Sequence, residues 1–174
     1  MNKMTKIFLF IFIIFSMGCN KTASLKINAS NDIKPSIYQA ISDVDNCFKA
    51  NNIPSCDLKK GGTLTVIKKP FEKMVNGYPC FKYGGQWVAG LAEGYCGSKS
   101  CKITVGIDKN GKWNINVLKH EICHFFDFKC NKCIGGNDGH PPIYVSCCPS
   151  WRGKSKTIIK RSIDGDKIID IIYP

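Results

Sequence analysis

The stretch from Asn114 to His124 reads NINVLKHEICH and ends in His120-Glu121-Ile122-Cys123-His124, a complete H-E-x-x-H. On a helix, side chains four residues apart share a face about one turn of ~5.4 Å apart, so both imidazoles can grip a single metal ion. Glu121 sits roughly 100° round from His120 at 3.6 residues per turn, too far to be a natural third ligand but within reach of a water held by that metal. Five residues therefore offer two ligands and a general base. The chain has three histidines and three glutamates (Glu72, Glu93 and Glu121), and shuffling its composition produces the motif with a chance of roughly one in two thousand. The competing reading is a solvated helix face that carries two histidines by coincidence. It leaves both Glu121 and the apolar residues behind the motif unexplained.

A catalytic zinc needs three protein ligands and one open position. His140, the last histidine, is the candidate third ligand, because Gly135-Gly136-Asn137-Asp138-Gly139 permits a tight reversal and Pro141-Pro142 stiffens the exit. Asp127 competes with it: three residues beyond His124, it lies on nearly the same face and would alternatively orient a ligating imidazole from behind. Cys130 is a weaker competitor, since a disulfide would remove its thiolate. Tyr144, four residues after His140, is a candidate oxyanion donor, with an ordinary packed tyrosine as the alternative.

These groups need elements to hold them. Ile115, Leu118, Ile122, Phe125 and Phe126 cluster opposite the two histidines, the pattern of a helix with its back in a core and its polar face towards a cleft. Asn114 or Asn116 can cap its start. Earlier, Pro35 opens a second helical repeat (Ile37, Ala40, Ile41, Val44, Cys47, Phe48) that breaks at Asn51-Asn52 and Pro54. Thr63 to Lys68 and Cys101 to Ile107 read as strands, and a short strand is expected near Trp87 to Leu91 within a glycine-rich stretch. Lys109-Asn110-Gly111 makes a turn into the metal helix. Lys156 to Tyr173 reads as a hairpin around Asp164-Gly165 that joins the sheet edge or covers the core. A strand beside the cleft would be able to hold substrate backbone as an added strand. The fold expected is a small α+β domain, two main helices packed on a short mixed or antiparallel sheet and braced by disulfides.

The N-terminus stands apart. Met1 to Lys6 is short and basic, Ile7 to Phe15 is unbroken apolar sequence, and Ser16-Met17-Gly18-Cys19 places small residues before a cysteine. The apolar run is too short for a hydrocarbon core of ~30 Å. The arrangement resembles a bacterial lipoprotein signal, which implies cleavage before Cys19 and a lipid anchor on it; Ser16 departs from that pattern, which has Leu there. Residues 1–18 are then the signal peptide, 19–34 the lipid anchor and tether, and 35–174 the metal-binding domain with its C-terminal hairpin. The mature chain lies outside the cytoplasm, in the bacterial cell envelope. Ten further cysteines in an oxidising compartment read as disulfides; sequence does not set their connectivity, nearby pairs such as Cys47 with Cys56 and Cys96 with Cys101 being candidates. A second zinc site from Cys130, Cys133, Cys147 and Cys148 fits ligand spacing poorly, because two of its cysteines are adjacent. Cys123 reads as a disulfide partner or a packed thiol.

The chain carries 25 basic and 13 acidic residues, net +12. Without Lys3 and Lys6 of the signal the balance is +10. For an exported protein that charge suits lipid headgroups or cell-wall polymers better than nucleic acid, and no run of basic residues is dense enough to define a patch.

The H-E-x-x-H helix resembles the zincin metallopeptidases. The resemblance implies zinc binding by His120 and His124, with Glu121 activating a zinc-bound water for peptide-bond hydrolysis of a peptide or protein substrate. The longer metzincin pattern is not met: Asp127 stands where it has Gly and Cys130 where it has the third His. Val117 to Pro142, with Gly-His-Pro after the motif, looks more like small uncharacterised bacterial lipoproteins that carry a minimal zincin core. Two other classes remain consistent with the residues. One is a zinc-binding lipoprotein without turnover, and the other a disulfide-braced envelope-binding module.

Overall fold

The helical repeat after Pro35 forms α1, Lys34–Ala50, with Ile37, Ala40, Ile41, Val44 and Phe48 all buried. Proline suits the first turn because its φ is already helical and its missing N–H would have no partner there. The helix stops where Asn52 turns left-handed (φ 55°) and the Asn51 N–H bonds back to the Cys47 and Phe48 carbonyls at 3.1 and 3.2 Å. The structure, a computed structural model, describes residues 24–53, 57, 61–130, 147–148, 155–162 and 165–172. Cys19, His140, Tyr144 and the signal segment lie outside the described residues.

The strands are β1 Leu25–Asn28, β2 Gly62–Pro70, β3 Lys73–Val75, β4 Tyr78–Tyr83, β5 Gln86–Val88, β6 Gly90–Tyr95, β7 Ser100–Ile107, β8 Ser155–Ser162 and β9 Gly165–Ile172. The second helix, α2, spans Ile115–Cys130. Six strands form one mixed sheet in the order β1-β2-β7-β6-β9-β8. The β1–β2 and β2–β7 pairs are parallel; the rest are antiparallel. The fold is α+β, with two helices and two sheets among the described residues. The C-terminal hairpin joins the sheet through β9, which pairs with β6. Among the described residues no helix is long and apolar enough to cross a membrane.

Three segments differ from the sequence expectation, the first being the single strand expected near Trp87 to Leu91, which is split between β5 and β6 in different sheets. Leu25–Asn28, expected within the tether, is a strand paired with Leu64 and its neighbours on β2. Residues 73–88 build a separate three-stranded sheet, β3-β4-β5. Its turns are Asn76-Gly77 (φ 49° and 84°) and Gly84-Gly85 (φ 58° and 84°). Those left-handed pairs match the twist of two-residue hairpins, which is why Asn-Gly and Gly-Gly favour them.

Alternation divides the two faces of the main sheet. Leu64, Val66, Cys101, Ile103, Val105 and Ala92 point to the face that carries the helices, and all are buried there. Leu91 points the other way and joins Phe81 of β4 and Val88 of β5 in a smaller cluster. Gly106 leaves room on that side for the Pro79 carbonyl, which any Cβ would strike. The small sheet thus covers one end of the face that the helices leave open.

Candidate metal centre

The helix that carries H-E-x-x-H is set by its start and its seat. Asp108 begins the turn before it, accepting hydrogen bonds at Oδ1 from the Asn110 and Lys112 N–H groups, each 2.8 Å, while Gly111 takes a left-handed φ of 74°. Asn114 then caps α2: its Oδ1 accepts from the Asn116 N–H at 2.9 Å. The seat is β6. Every second residue there is small, Gly90, Ala92 and Gly94, and the helix lies directly on them. A Cβ at Gly94 would come within 2.6 Å of the Phe128 ring; one at Gly90 would come within 2.6 Å of Val117 Cγ1 and strike the Glu121 carboxylate. This small-residue stripe, with strand period of two, is the sequence signal that a helix approaches closely here.

The histidines converge. His120 Nε2 and His124 Nε2 are 3.1 Å apart, with ring centroids at 4.9 Å. Two nitrogens each ~2.0–2.1 Å from one tetrahedral zinc are about 3.3 Å apart, so this spacing needs little adjustment to share a metal. The donor chemistry also fits, since imidazole is a common zinc ligand and both rings present the same nitrogen. The third position is not filled from nearby: among the described residues no group of three or more His, Cys, Asp or Glu is arranged to hold a metal ion. Asp127, an alternative third ligand in the sequence reading, is buried on α2.

The face expected to be open is closed. His120 is 4% exposed, His124 3%, and Glu121 0%. From Val117 to Phe128 only Lys119 escapes full burial, so α2 is enclosed nearly all round rather than along one stripe. The apolar backing is present in Leu118, Ile122, Phe125 and Phe126, and Phe126 meets Phe48 of α1 edge-on at 5.5 Å. Ile115, expected in that backing, is 38% exposed at the first turn. The strand beside the site does not offer a free edge either: β6 pairs with β7 and β9, and β7 with β2. Substrate backbone therefore cannot be added alongside Cys101 to Ile107, because both sets of its hydrogen bonds are already used.

Cysteines frame the motif, though not in the expected pairs. Cys47 of α1 bonds Cys147, and Cys123 inside the motif bonds Cys148, with Cα separations of 5.5 and 6.0 Å. Cys96 is disulfide-bonded, but not to Cys101, which is a free buried thiol, as is Cys80. Sequence proximity misleads here because the tertiary fold, not the loop length, sets which Cα atoms approach within bonding range. With Cys147 and Cys148 both oxidised, a four-cysteine zinc site with Cys130 and Cys133 is excluded. Cys101 points from β7 towards α2. Burial, then the nearby negative charge of Glu121, pushes its thiol well above the ordinary value of 9.0, so it stays protonated at neutral pH. Comparison of the chain with family models, with curated proteins and with solved structures finds no match.

Proposed function

We propose that the chain is a zinc-dependent peptide hydrolase of the bacterial cell envelope, anchored through Cys19, in which His120, His124 and His140 hold the metal and Glu121 is the general base. The observation that carries this reading is the convergence of the two Nε2 atoms at 3.1 Å on one helix, with Glu121 next to the first of them in sequence. When bound, zinc supplies Lewis acidity: it makes water more acidic and polarises a carbonyl. The chain does the rest. His120 and His124 bind as neutral imidazoles through Nε2. Glu121, kept from bulk solvent, takes a proton from the attacking water and delivers it to the departing amine, its position fixed by Gly90 on the sheet side. Two disulfides beside the site are in keeping with an oxidising, extracytoplasmic setting.

A second reading has its own support. A zinc site that holds α2 in place without turnover accounts for the near-complete burial of both imidazoles and the carboxylate. Structural zinc sites are closed, whereas catalytic ones keep an open position.

Metal analysis of the purified full chain is expected to find about one zinc per chain, lost in His120→Ala. Retention of the same zinc by His120→Ala would remove the metal reading. Against a peptide library, wild type is expected to cleave, and Glu121→Gln to keep its zinc while losing at least ~100-fold in rate, the usual scale of general acid–base catalysis. Equal cleavage by both would remove Glu121 as base. Bound zinc with cleavage by neither supports the closed structural site.

A further inference from the structure

Three lysines stand over two aromatic rings of the small sheet, one ring on each of its faces. Lys69 Nζ stands 4.7 Å from the centre of the Phe81 ring, while Lys73 Nζ and Lys82 Nζ stand 5.8 and 5.5 Å from that of Trp87. All three fall within the ~6 Å over which a ring face attracts an ammonium. Lys69 also donates to the Lys82 carbonyl at 3.5 Å, which joins the two halves of the cluster. One carboxylate, Glu72, approaches Lys69 at 3.9 Å and accepts from the Lys82 N–H at 3.2 Å. Two positive charges remain in excess. Lys73 and Lys82 are exposed.

We propose that this basic edge of the small sheet, Lys73 and Lys82 over Trp87 with Lys69 joined to them through the Lys82 carbonyl, docks on the anionic phosphate headgroups of a lipid bilayer. The rings hold the ammonium groups in place before any ligand arrives, which lowers the ordering cost of binding. A sugar polymer would need a bare ring face for stacking, but two ammonium groups already stand over Trp87. Phosphate oxygens instead complement those groups directly. The charge of the whole chain, +12, favours the same surface. This inference does not depend on the metal reading, and the failure of either leaves the other standing.

The test compares full-length wild type with Lys73→Gln/Lys82→Gln on phosphatidylglycerol-containing vesicles and on pure phosphatidylcholine vesicles. Because the full chain retains its N-terminal apolar segment, the readout is the ratio of the two affinities. Wild type is expected to prefer anionic vesicles. The double variant is expected to lose about 25-fold of that preference, at about fivefold per lysine, while Lys73→Arg/Lys82→Arg keeps it and shows that the fold is not at issue. An undiminished preference in the glutamine variant overturns the proposal. So does lysine-dependent binding to polyglutamate without any vesicle preference, which would assign the edge to an acidic protein.

Discussion

Gly90 and Glu121 constrain each other. The carboxylate occupies the volume that a Cβ on Gly90 would need, and Val117 Cγ1 closes the other side at 2.6 Å. A fully buried carboxylate next to a backbone with no side chain is held by packing as much as by polar contacts. Gly90→Ala is therefore expected to destabilise the protein by about 1–3 kcal/mol, the cost of forcing a methyl into a filled site. Thermal unfolding checks the stability. If Glu121 is the base, the same variant should keep its zinc and lose turnover, because the histidines lie outside the overlap. An unchanged melting temperature would show that α2 can lift off β6 without loss.

Among the elements, α1 and α2 share more than a hydrophobic contact. The adjacent Cys147 and Cys148 bond one to each helix, Cys47 on α1 and Cys123 on α2, so two neighbouring residues clip the pair together. The Cys47–Cys147 link spans 100 residues of chain. Closing a loop of that length restricts the unfolded chain strongly, and losing it is expected to cost about 2–5 kcal/mol. Cys47→Ser/Cys147→Ser should lower the urea midpoint accordingly. Cys123→Ser/Cys148→Ser opens a shorter loop, of 25 residues, and should cost less. It should still weaken zinc binding measurably, because Cys123 lies between the two histidines. Zinc affinity unaffected by the loss of Cys123–Cys148 would show that α2 keeps its position by packing alone.

At the scale of the whole molecule, acid should loosen the contact between the helices. Lys119 of α2 meets Asp43 of α1 at 2.6 Å, and Gln39 donates to the same carboxylate at 2.7 Å. The Lys119 ammonium, chiefly, holds the Asp43 carboxyl below its ordinary 3.8; Lys68 does the same for Asp32. A carboxyl whose pKa is lower in the folded state contributes stability that is complete above the unfolded value and disappears as pH falls through the folded one. Stability should therefore decline below about pH 4, and Asp43→Asn should flatten that decline. Both partners are partly exposed, so the change is expected to be small. Urea unfolding at pH 7 and pH 3 measures it; an identical pH dependence in Asp43→Asn would show that the pair adds nothing.

The types and spacing of residues were sufficient for the two helices, the strands at Thr63 and Cys101, the C-terminal hairpin and the H-E-x-x-H motif, because each is written in a local period or a local turn. The small sheet was equally local, in Asn76-Gly77 and Gly84-Gly85, and is the part a closer reading of turn residues recovers. Tertiary structure alone decided the rest. It paired Cys47 with Cys147 and Cys123 with Cys148, gathered Lys69, Lys73 and Lys82 around two rings, gave β6 and β7 partners on both edges, and enclosed His120, Glu121 and His124. Those outcomes depend on which distant segments meet. A helical period reports which residues share a face, but what covers that face is set by the rest of the chain.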